Sequence, residues 1–269
     1  MLKDITLGQF FPGTSPVHRL DPRTKLVLLV VYIVTLFTAN NWLSYGIVFA
    51  FLAFAIAIST IPLKSILNGM KPLVFVLIFT GILNIFFTVG KGEPLVSVWV
   101  IKIYKEGIIL ALFMMLRIMM LITGTFLLTY TTSPIALTDG LESLLSPLKK
   151  LHVPVHELAM MMCIALRFIP TLIEETDKIM SAQKARGADF ESGSLMDRVK
   201  ALVPILVPLF ISAFRRADEL ATAMECRCYQ GGEGRTKMKL LRYKLGDFKA
   251  YSVGVLLLAA VITLRYFGL

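Results

Sequence analysis

From Leu26 to Leu63 the chain carries no Asp, Glu, Lys or Arg. Roughly 20 apolar residues cross the hydrocarbon core of a bilayer as one helix, so this run is too long for a single span. Asn40-Asn41-Trp42 interrupts it with two amides and an aromatic suited to the membrane interface. It therefore reads as two membrane helices, at about 26–39 and 42–61, joined by a tight turn. Asp21-Pro22 ahead of the first supplies a helix N-cap followed by proline at the first helical position. A third span is predicted at about 72–90, closed by Gly90-Lys91-Gly92-Glu93-Pro94, and a fourth at about 107–131, stopped by Ser133-Pro134. The fifth, about 248–267, has Lys249 and Arg265 near its ends, where long cationic side chains can snorkel.

Composition agrees with that reading. The 269 residues are 56% hydrophobic and 17% charged, against about a quarter charged in soluble domains, which argues against a cytosolic enzyme. The net charge of +10 suits either a positive cytoplasmic membrane face or a nucleic-acid binder. Basic patches interleaved with aromatics are missing, so no nucleic-acid partner is expected. Lys and Arg also orient the spans. Twenty-three fall on the side holding the N-terminal segment, the 62–71 loop, the 133–246 stretch and Lys249. Only Lys91, Lys102, Lys105 and Arg265 fall on the other. The positive side is cytoplasmic, so the N-terminus is expected inside and the C-terminus outside. The N-terminal segment has no apolar core of a cleavable signal peptide.

Residues 133–246 combine 16 basic and 13 acidic residues with apolar runs such as Leu158–Leu166 and Ala201–Phe214. Each run is shorter than a span, and the second contains Pro204 and Pro208. Long helices on the cytoplasmic face of the membrane are expected here, at about 135–149, 155–185 and 194–228.

A short repeat lies within them. Thr176–Gly187 overlays Ala217–Cys228 at a constant offset of 41, aligning Asp177 with Asp218, Ala182 with Ala223 and Arg186 with Arg227. Shared composition between two amphipathic helices is the plain explanation. The sharper one is that two helix ends each present an arginine to similar surfaces. At the same offset Glu174-Glu175 faces Arg215-Arg216. If the helices cross with approximate two-fold symmetry, these four residues meet at or near the crossing. As solvated pairs they would contribute only about 0–1 kcal/mol.

At these residues the chain resembles the transmembrane T components of energy-coupling factor transporters, importers of vitamins and transition metals related to ABC transporters. The likeness covers nearly the whole chain. It rests on Leu20-Asp-Pro-Arg-Thr-Lys-Leu26, Ala165-Leu-Arg-Phe-Ile-Pro170, Ala182-Gln-Lys-Ala-Arg-Gly187 and Cys226-Arg-Cys-Tyr-Gln-Gly-Gly-Glu-Gly-Arg-Thr-Lys237. The family's two X-Arg-X signatures fall on Ala185-Arg186-Gly187 and Cys226-Arg227-Cys228, the second with cysteines where Ala-Arg-Gly is the plainer form. The resemblance implies a non-catalytic subunit in the bacterial cell membrane that binds two cytosolic ABC-type ATPases and one or more membrane S components. Its coupling helices would dock on the ATPases through Arg186 and Arg227. ATP and magnesium would belong to those partners, and no cofactor or metal is expected in this chain. The implied architecture is an all-α integral membrane protein with about five transmembrane helices. Its regions are a four-helix membrane region at 1–132, a cytoplasmic coupling domain of long crossed helices at 133–246, and a last membrane helix at 247–269. Vitamin uptake is the expected function, with a dedicated cobalt or nickel importer as the alternative.

Other signals are weaker. Gly231–Lys237 is glycine-rich but lacks the spacing of a phosphate-binding loop and follows no predicted strand. His152 and His156 are separated by Pro154 and do not extend into a zinc-binding HExxH pattern. Cys163, Cys226 and Cys228 have no disulfide-framework spacing and read as reduced thiols. Arg117 is the one charge well inside a predicted span, and ionisable residues there are costly and often functional. A pairing with Asn84, a contact to an S component, a wet crevice and a bond to a carbonyl on another helix all suit it. The methionines at 114–115, 119–120 and 160–162 suit ordinary packing or an adaptable partner surface. A self-contained secondary transporter would need polar midplane sites from two halves, and beyond Arg117 and Asn84 the spans offer little. A scaffold that binds cytosolic partners without transport is compatible with the same sequence.

Overall fold

The computed structural model describes residues 10–88, 96–98, 101–188, 190, 195–232 and 240–267. The helices are α1 (Pro22–Thr38), α2 (Trp42–Ser59), α3 (Leu63–Met70), α4 (Val74–Phe87), α5 (Lys105–Thr131), α6 (Pro134–Leu145), α7 (Val155–Ala185), α8 (Leu195–Glu225) and α9 (Leu245–Phe267). An antiparallel pair of three-residue strands, β1 (Val96–Val98) and β2 (Ile101–Ile103), precedes α5, with Val96 opposite Ile103. The residues expected to close the third span, 90–94, lie outside the described residues.

Two compact units result. Among the described residues, one holds those of 8–140 and 241–269 and the other those of 141–240. In the first, Tyr32, Leu36, Tyr45, Val48, Met120 and Val261 bury together where α1, α2, α5 and α9 meet. Between membrane helices there is little hydrophobic driving force, and small residues let backbones approach. Gly124 does this for α1 and α5. A Cβ there would stand 2.6 Å from the Tyr32 ring, whose hydroxyl donates to the Met120 carbonyl at 3.0 Å. Ile61, Ile66 and Tyr130 form a second cluster at the other end of α5. The outward face of α4 keeps Phe75, Phe79 and Phe87 exposed, as a lipid-facing helix does.

Asp21 caps α1 as the sequence suggests, its carboxylate accepting the Arg23 backbone N–H at 3.0 Å. Five helical stretches are long and apolar enough to cross a membrane, namely α2, α3 with α4, α5, α7 and α9. Four of them hold the spans expected at 42–61, 72–90, 107–131 and 248–267, and α7 is added by length and composition alone. The span expected at 26–39 lies in α1, whose 17 residues, about 25 Å of helix, fall at the short end of the lengths that cross a bilayer. Conversely, α7 qualifies because Glu157 and Arg167 are the only charges before Glu174 in its 31 residues. In a sequence reading, its polar remainder masks that first part.

Candidate functional site

The second unit brings the repeated segments together. α7 and α8 each have 31 residues and pack antiparallel. The direction follows from contacts on either side of their meeting point. Toward one end Gln183 Nε2 donates to the Pro204 carbonyl at 3.5 Å. Toward the other, Ile164 and Phe168 share an apolar cavity of about 270 Å³ with Leu220 and Met224. Between them Glu175 accepts the Ser212 hydroxyl and, at 3.0 Å, Arg216 Nη2.

Glu175 and Arg216 occupy equivalent places in the repeat, 41 residues apart. An approximate two-fold axis therefore passes between them. Glu174 and Arg215 do not join this contact. Both are exposed, and neither forms an ion pair among the described residues. One step along an α-helix turns a side chain by about 100°, which carries each of them off the contact face. Since 38% of the Arg216 side chain is exposed, solvent screening leaves the pair about 0–1 kcal/mol of stability.

From that axis Arg186 and Arg227 each lie 11 residues toward a helix C-terminus, about 16 Å of helix. Because the helices are antiparallel, the two arginines stand beyond opposite ends of the contact, and both are exposed. Their backbones also match. The Ala188 N–H reaches back to the Gln183 carbonyl at 3.0 Å, and Tyr229 N–H reaches the equivalent Met224 carbonyl, again at 3.0 Å. This is the Schellman termination, which requires a left-handed residue after the helix. Gly187 fills that place with φ +87°, and Cys228 fills it with φ +54°. The Cys226 and Cys228 thiols are free and exposed.

The shared termination carries a prediction. A Cβ at Gly187 would have nothing within 4 Å, so Gly187→Ala incurs only the left-handed backbone penalty, about 1 kcal/mol. Cys228→Gly relieves the same penalty and should gain a few tenths of a kcal/mol, part being offset by glycine's greater unfolded freedom. Thermal unfolding in detergent reads both. An unchanged Gly187→Ala midpoint would refute this account of the helix end.

Arg117 and Asn84 do not meet, which corrects that pairing. Arg117 Nε donates to the Tyr45 hydroxyl at 2.9 Å and Nη2 to the Ala39 carbonyl at 3.1 Å, with the Phe37 ring 5.5 Å away. The guanidinium thus reaches the turn between α1 and α2, where Trp42 packs on Phe113. Asn84 donates to the Thr80 carbonyl of its own helix at 2.9 Å. Of the two histidines, His156 pairs with Glu142, its Nδ1 3.0 Å from Oε1. No group of three or more potential metal ligands occurs among the described residues. Most of Gly231–Lys237 lies outside them.

Sequence reasoning overlooked a charged cluster in the first unit. Asp21, Lys25 and Asp247 are buried, and Asp247 is only 1% exposed. Two of its signals were visible as Asp21 and Lys25 in the Leu20–Leu26 segment, but Asp247 is 226 residues from Asp21.

Comparison with known proteins places these features in context. The cobalt transport protein family (CbiQ) matches residues 13–238. The energy-coupling factor transporter transmembrane protein EcfT of Clostridium kluyveri is 54% identical over 265 residues, 98% of each chain. Its namesake in Ruminiclostridium cellulolyticum is 52% identical over 266 residues, covering 99% of each chain. That of Bacillus subtilis is 49% identical over 262 residues, covering 97% of this chain and 98% of its own.

Proposed function

The chain belongs to the family of energy-coupling factor transporter transmembrane proteins, and from that footing we propose that it couples two cytosolic ABC-type ATPases to a substrate-binding S component for vitamin uptake. ATP hydrolysis lies with the ATPases, and substrate contacts lie with the S component. Residues 133–246 form the coupling domain, between a membrane region at 1–132 and a last membrane helix at 247–269. The N-terminus is cytoplasmic and the C-terminus extracytoplasmic in a bacterial cell membrane. The exposed cations Arg19, Lys64, Lys71, Arg242 and Lys244 at one end of the first unit support that orientation.

One observation carries the coupling reading. Two helix ends related by an approximate two-fold axis share one termination and one exposed arginine each, as docking on a pair of similar ATPases requires. Arginine suits the joint because its planar fork stays charged and bonds carboxylates or carbonyls in pairs. When ATP draws the ATPases together, the two ends move relative to each other about the Glu175–Arg216 contact, and the S component reorients.

Co-purification from the native membrane tests this. A tagged chain should retain two ATP-binding cassette proteins and at least one small membrane protein, and retention of no ATPase would overturn the reading. The cobalt transport description of the matching family favours a second cargo, cobalt, with nickel as the alternative metal. Uptake of labelled vitamins and of radioactive cobalt and nickel by cells with and without the chain separates the two.

A further inference from the structure

The chain leaves the first unit after Gly140 and re-enters it at Leu241. Both crossings are tied to the first turn of α1. On the outgoing side Lys25 Nζ donates to the Thr131 carbonyl at 2.8 Å and to Thr132 Oγ1 at 3.2 Å, where α5 ends. Gly140 packs so closely there that a Cβ would stand 3.0 Å from the Pro22 side chain. On the returning side Asp247 Oδ1 accepts the Asp21 backbone N–H at 2.8 Å, and its Oδ2 accepts the Lys244 N–H at 2.7 Å. The Arg23 guanidinium lies 4.3 Å over the Tyr243 ring and pairs with Asp21 at 3.1 Å.

Stability alone does not account for this arrangement. Buried ion clusters repay their desolvation poorly, and well-packed apolar residues of similar volume often serve a fold as well or better. What charged, directional bonds add is a fixed geometry. Here the fixed points are the two places through which any displacement of residues 141–240 must reach the membrane helices along the chain.

We propose that Asp21, Arg23, Lys25, Tyr243 and Asp247 form an anchor that transmits the movement of the coupling unit into the membrane bundle. They are positioning residues. The proposal rests on the coupling function proposed above. Without the anchor the ATPases still bind and hydrolyse ATP, but the motion is spent in slack at the two connections.

The test uses the whole transporter in liposomes, comparing wild type with Lys25→Met and Tyr243→Leu. Lys25→Met removes the bonds to Thr131 and Thr132 while keeping most of the side chain's volume. Tyr243 is 45% exposed, so its replacement leaves the buried cluster intact and the variant folds. Three quantities are read: ATPases retained, melting midpoint, and substrate imported per ATP hydrolysed. The expected result is full retention of the ATPases, with import per ATP lowered at least tenfold by Lys25→Met and about threefold by Tyr243→Leu. A lower melting midpoint with unchanged import per ATP would overturn the proposal and leave a structural clasp. If Lys25→Met does not fold, Tyr243→Leu decides alone, and unchanged import per ATP in it overturns the anchor. Failure of the wild-type chain to hold ATPases would instead defeat the coupling reading beneath it.

Discussion

A chain carrying Arg186→Glu and Arg227→Glu together is expected to lose both ATPases on purification and to support no uptake. Both side chains are exposed, and neither forms an ion pair among the described residues, so reversal should leave the fold intact. Removing one partner of a buried, hydrogen-bonded charge pair at an interface costs about 2–5 kcal/mol. At 1.4 kcal/mol per tenfold, each end would bind roughly thirtyfold to several thousandfold more weakly. The single variants should each leave one end docked, and Arg→Lys should fall between, retaining charge without the fork. Retained ATPases and normal uptake in the double variant, with an unchanged circular dichroism spectrum, would remove both arginines from the coupling role.

Replacing Asp247 by alanine is expected to have the largest effect on folding. Its carboxylate is almost fully buried and holds the N–H groups of Asp21 and Lys244. Loss of one member of a buried charged network leaves its partners uncompensated, at a cost of about 3 kcal/mol or more. The melting midpoint in detergent should fall by roughly ten degrees. Asp247→Asn keeps one acceptor and should fall by less. An unchanged midpoint in Asp247→Ala would mean that solvent already satisfies those groups.

Features that rest on local chemistry were legible from the sequence. Apolar runs with few or no charges located α1, α2, α4, α5 and α9, and Asp21-Pro22 marked the start of α1. The constant offset of the repeat pointed to Glu175 opposite Arg216, because two-fold symmetry brings equivalent positions together. It did not separate that pair from Glu174 and Arg215, which differ only in the helix face they occupy. Features that rest on distant backbone atoms left little trace. Arg117 bonds a carbonyl 78 residues away, and every residue has a carbonyl, so Asn84 was the visible polar candidate. The buried Asp247 looked like an ordinary acidic residue near the start of a helix. Residues 62–71 were read as a loop because of Lys64 and Lys71, whereas Leu63–Met70 form α3, separated from α4 by the turn at Lys71–Leu73.

The unequal reach of α1 and α5 bears on the surrounding lipid. The two helices run side by side from the Lys25–Thr131 contact to the Ala39–Arg117 contact. There α1 is finished, whereas α5 continues for 12 more residues to Lys105, about 18 Å. A bilayer of uniform depth matches one of these lengths and mismatches the other. Either the first turns of α5, which open with Lys105 and Glu106, stand clear of the hydrocarbon, or the lipids beside α1 and α2 thin or the bundle leans, at fractions of a kcal/mol per ångström. Where the bilayer makes that adjustment, the chain length of the lipids is expected to change how readily the bundle tilts.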